Sequence, residues 1–140
     1  MTETPDLASL DRNASDSAYM TAGIARLQTG LAFDDPADAS SYRVLLRRLY
    51  AAGRFDLPLG RLFEGHIDAL QIINRYGDSA AAAALHAAAH HGACFGVWNA
   101  PLAGEALTLA HDRLDGGKAF ASGAGLLSHA LVSAEVPDSD

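Results

Sequence analysis

The stretch Ala93-Cys94-Phe95-Gly96-Val97-Trp98-Asn99-Ala100-Pro101 decides how the rest of the chain is read. Before it, apolar residues recur at three- and four-residue spacing, the mark of amphipathic helices. After it come short apolar runs broken by glycine turns, which read as strands. The only tryptophan, Trp98, sits at the switch. The expected class is therefore α+β: an N-terminal helical bundle followed by an incomplete antiparallel β region. The expected division is a disordered tail over 1–15, a helical domain over 16–92, a partial β domain over 93–135 and a tail over 136–140.

On the helical side the spacing predicts four helices. The first runs from Asp16 to about Gly30. The second, from Asp38 to Ala52, carries Tyr42, Val44, Leu45 and Leu49, with Gly53 as its stop. The third, from Leu59 to Tyr76, repeats Leu62, Phe63, His66, Ile67, Leu70 and Ile73, and Gly77 closes it. Gly65 inside that pattern suggests a close helix approach. Asp78-Ser79 can cap the fourth, an alanine run to His90 that Gly92 ends. Asp34-Asp35 before Pro36 reads as helix-starting punctuation. On the strand side, Phe95–Trp98, Leu107–Arg113, Lys118–Ser122 and Ala130–Ala134 read as strands, with a hairpin turn at Asp115-Gly116-Gly117. So few strands leave an edge and a face uncovered, which suggests a longer protein or a partner.

Composition bounds the function. The chain has 140 residues, 49% hydrophobic and 19% charged, with 17 acids against 10 bases for a net charge of −7. Such a chain is repelled by phosphate backbones, so nucleic acid is a poor partner, and Arg47-Arg48 reads as a solvated helix face. No apolar run approaches the ~20 residues of a membrane span. The acidic N-terminus has no basic-then-apolar leader, and the single Cys94 suits a reducing compartment, so the cytoplasm is expected.

Few residue groups carry chemistry by pattern alone. His86 and His90 are spaced i, i+4, but no Glu lies between them and no third ligand follows at a familiar interval, so they read as helix histidines and no metal is expected. His66 reads as a satisfied core or interface histidine. Glu64 and His66, two apart on a helix, do not face each other. Asp112 and Asp115 beside Lys118 read as turn residues. Cys94 reads as a small buried hydrophobe. Gly123-Ala124-Gly125 lacks the third glycine of a dinucleotide loop, and Ser122 lacks the glycine frame of a nucleophile elbow.

Two segments nevertheless resemble the acyl-CoA dehydrogenase family. Val97-Trp-Asn-Ala-Pro-Leu-Ala-Gly104 stands where that family has a loop of the type aliphatic-Thr-Glu-Pro-x-x-Gly. Leu114-Asp-Gly-Gly-Lys-Ala-Phe-Ala-Ser-Gly123 stands where it has a Gly-x-Lys-x-aromatic segment. The likeness spans most of residues 20–135. It implies an N-terminal portion of a flavin-dependent oxidoreductase that desaturates an acyl thioester between its α and β carbons, inactive as this piece. It implies FAD as cofactor, an acyl-CoA-type substrate, a homo-oligomer, and an electron-transfer flavoprotein or oxygen as acceptor. Trp98, Asn99, Phe120, Ala121 and Ser122 would then be the cofactor-binding residues. Asn99-Ala100 stands in place of Thr-Glu, and Gly104-Glu-Ala in place of Gly-Ser-Asp. The family's glutamate base comes from a C-terminal helical domain, so no catalytic residue is assigned. The competing reading is a non-enzymatic helical module that associates through the Leu59–Tyr76 helix.

Overall fold

The computed structural model describes residues 5–33 and 35–137. Four helices come first: α1 (Asp16–Gln28), α2 (Ala39–Phe55), α3 (Leu57–Tyr76) and α4 (Ser79–His90). Four short strands follow: β1 (Phe95–Trp98), β2 (Thr108–Ala110), β3 (Arg113–Asp115) and β4 (His129–Val132). The α+β class holds.

Side chains start each helix by accepting orphan backbone N–H groups. Ser15 caps α1, Asp38 and Ser41 form a capping box on α2, and Asp78 caps α4. Asp56 alone separates α2 from α3. Its N–H closes α2 on the Ala52 carbonyl at 2.9 Å, while its carboxylate takes the Leu59 N–H at 2.8 Å to open α3. This aspartate, and not Gly53, ends α2, because Gly53 lies inside the helix where α3 crosses it. A Cβ on Gly60 would sit 2.8 Å from Gly53 Cα. The close helix approach thus belongs to the Gly53–Gly60 pair. Around Gly65 there is ordinary contact distance, 3.9 Å to Gly96 Cα.

Helix α3 is the centre of the molecule. Its buried residues, among them Leu59, Phe63, His66, Ile67 and Leu70, pack against α1, α2, α4 and β1. Its apolar stripe is spent inside the fold. The expected disordered tail over 1–15 does not hold for residues 5–15: Leu7 and Leu10 are buried in the same core. Residues 1–4 and 138–140 lie outside the described residues, as does Asp34.

The β half departs from an all-antiparallel reading. β2 and β3 pair antiparallel, but β1 and β4 pair parallel, Phe95 opposite His129 through Trp98 opposite Val132. A parallel pair needs a long crossover, and residues 99–128 supply it. The hairpin turn falls at His111-Asp112, whose φ angles of 50° and 58° are those of a two-residue primed turn, and not at Asp115-Gly116-Gly117. Lys118–Ser122 is no strand. Phe120 has φ of 53°, which breaks extended backbone, and the Ser122 N–H turns back on the Phe120 carbonyl at 2.8 Å. Leu102, Leu114, Phe120 and Val136 of this half are exposed apolar side chains.

Candidate functional site

The helix-to-strand seam over residues 93–101 is built on β1. Its first residues, Phe95 and Gly96, are buried against α3, and its last, Trp98, is half-buried. A short polar chain fixes the start of the strand. The Phe95 N–H donates to His66 Nδ1 at 3.1 Å, which leaves the Nε2–H of the neutral ring to donate to Gln28 Oε1 at 2.9 Å. The Gln28 amide then donates to the Ala89 carbonyl at 3.0 Å. Burial lowers the His66 pKa from 6.5 to about 4, so the ring is uncharged at neutral pH. Ser128 clamps the same strand from the other side. Its hydroxyl accepts the Cys94 N–H at 2.8 Å and donates to the Cys94 carbonyl at 3.0 Å. His129 stacks on Phe95 with ring centres 4.6 Å apart.

The segments 97–104 and 114–123 meet here. The Trp98 indole N–H donates to the Ser122 carbonyl at 3.0 Å, and the Ala119 N–H donates to the Ala100 carbonyl at 3.0 Å. Glycines let the loop over residues 123–127 settle onto β1 and α3. A Cβ on Gly96 would collide with Leu127, and one on Gly123 would lie 2.7 Å from Leu62 Cδ2. Ala121 and Ser122 are half-buried, Asn99 is exposed, and the Phe120 ring is 89% exposed. Among the described residues, no backbone acceptor takes the N–H of Ala121 or Gly123.

This arrangement can offer a flat ring an aromatic edge and unspent backbone donors. It offers no slot. The cleft between Leu62, Gly65, Phe95, Gly96, Ser122 and Leu127 has a volume of about 10 Å³, room for a water molecule at most. The cleft encloses no space for an isoalloxazine, and the Phe120 ring beside it is exposed. The Ser122 N–H and carbonyl are committed within the protein, so its hydroxyl and the neighbouring N–H groups are what remain for a cofactor.

The other groups singled out by pattern have ordinary surroundings. Phe33 lies between His86 and His90, its ring centre 5.4 and 4.7 Å from theirs. Among the described residues no three His, Cys, Asp or Glu side chains are placed to hold a metal ion. Burial raises the Cys94 thiol pKa, which leaves it protonated and a poor nucleophile. Glu64 pairs with Arg61, away from buried His66. Lys118 donates to Ser133 and Asp112 sits in the hairpin turn. Asp35 pairs with Arg75 at 2.6 Å. Arg48 is not a solvated residue: it is buried, with Nη1 donating to the Leu27 and Thr29 carbonyls. Among the described residues no helix is long and apolar enough to cross a membrane.

Gln28 and Ser128 are the residues of the seam that the pattern does not signal. Each acts on a partner far along the chain, Ala89 and Cys94, so no local spacing marks it. No family model, curated protein or solved structure matches this chain.

Proposed function

We propose that this chain supplies one wall of the flavin site of an acyl-CoA dehydrogenase-like oxidoreductase, with FAD lying along Trp98, Asn99, Phe120, Ala121 and Ser122. The observation that carries the reading is the hydrogen bond from the Trp98 indole to the Ser122 carbonyl, because it joins the two segments that resemble that family. When bound, the flavin would supply the hydride acceptor for α,β-dehydrogenation of an acyl thioester.

The residues of this chain act by position. Phe120 and Trp98 give an apolar surface against which a ring can exclude water. The N–H groups of Ala121 and Gly123 and the Ser122 hydroxyl are donors suited to the polar edge of the ring, where fixed hydrogen bonds tune a flavin's electronics. The Trp98 bond and the Gly123 contact with Leu62 hold that segment still relative to α3. The proton-abstracting base and the second wall lie outside the seam, so the chain by itself presents an open edge. The test is equilibrium dialysis of the purified protein against FAD. Saturable uptake approaching one FAD per chain is expected. A folded chain that takes up no FAD overturns the reading.

A further inference from the structure

We propose that the outward face of α2 docks an acidic helical segment of a partner protein, independently of any flavin. Residues 39–55 carry four arginines and no acid, in a chain whose net charge is −7. Arg48 is turned inward, but Arg43, Arg47 and Arg54 are exposed. Among the described residues none of these three makes a salt bridge. Beside them, at i, i+4 and i+8, Tyr42 is 52% exposed, Leu46 43% and Tyr50 67%. The Arg54 guanidinium lies 5.9 Å from the Tyr50 ring centre. A shallow groove runs between Arg47, Tyr50 and Arg54.

Three exposed apolar or aromatic side chains in one helical row are unusual on a face with nothing against it. Tyrosine and arginine are also the residues that most often anchor protein interfaces. The charge says what kind of partner fits. Exposed arginines around an aromatic row complement carboxylates flanking an apolar stripe, and a helix lying along α2 presents both at matching spacing. The strong negative charge of the rest of the molecule disfavours the two other polyanions, nucleic acid and an anionic bilayer, because each extends well beyond the patch. An acidic segment of helix length stays within it.

The test uses a fluorescein-labelled amphipathic helical peptide with Glu on its polar face and Leu on its apolar face, titrated by anisotropy without FAD. Binding that weakens with salt is expected. The triple variant R43E/R47E/R54E should lose at least about tenfold in affinity, and Tyr50→Ala, which keeps every charge, should also weaken binding. A version of the peptide with Lys in place of Glu should not bind. The proposal is overturned if the Glu peptide does not bind, if neither variant changes its affinity, or if duplex DNA or phosphatidylserine vesicles bind as tightly as the peptide.

Discussion

His66 Nδ1 takes the backbone N–H of Phe95 at 3.1 Å, so a buried imidazole on α3 holds the first residue of the strand that forms the seam. That bond requires a neutral ring. The folded pKa, about 4, lies below the ordinary 6.5, so the unfolded chain binds the proton more readily. The stabilisation is therefore complete above pH 6.5 and is lost as pH falls towards 4. The loss from this group is about 3 kcal/mol. Urea unfolding across this range should show it, and His66→Gln, which keeps one acceptor and one donor, should flatten the dependence. An unchanged slope in the variant would place the pH effect elsewhere.

Gly60→Ala should destabilise the protein by about 1–3 kcal/mol, because the added methyl meets backbone atoms of Gly53 that cannot rotate away. Gly65→Ala should be neutral or stabilising by up to about 1 kcal/mol, since helix propensity rises and the nearest atoms stay at contact distance. Thermal melts of the two variants should move in opposite directions or differ clearly in size.

These two glycines mark a limit of what the sequence makes legible. The helices follow from apolar spacing, and Asp38 and Asp78 mark two of their starts, but the Asp56 cap that joins α2 to α3 was not read, so α2 runs to Phe55 and α3 begins at Leu57. Which glycine makes the crossing depends on how α2 and α3 pack, and periodicity within one helix does not carry that. The bond from Trp98 to Ser122 was not legible, because it joins side chain and backbone 24 residues apart and no local spacing marks it. The parallel pairing of β1 with β4 was not legible, because Val97-Trp98 and Leu131-Val132 look the same in either direction. Nor was the loop at Phe120, where a left-handed residue interrupts a run of otherwise strand-compatible composition.

Arg48→Met should cost about 1–3 kcal/mol. The apolar stem is replaced, but the Leu27 and Thr29 carbonyls at the end of α1 lose their donor. Arg47→Met, one residue away and exposed, should change stability by less than about 0.5 kcal/mol. Denaturant midpoints of the two variants check the contrast.

Trp98→Phe keeps an aromatic ring but removes the indole N–H and its bond to Ser122, with an expected loss of at least about 1 kcal/mol. Its more telling effect is local. Hydrogen exchange over residues 119–127 should quicken in the variant while α3 stays protected. Equal loosening of α3 would show that Trp98 supports the core and does not specifically fix the segment.

Trp98 is also the only tryptophan, and it lies on the surface proposed for the flavin. The most direct test is therefore its emission during titration with FAD. The account predicts saturable quenching, since a flavin against the seam lies within energy-transfer range of the indole, and weaker quenching after Phe120→Ala. Emission that falls no further than that of free tryptophan amide in the same FAD solutions would contradict the flavin site.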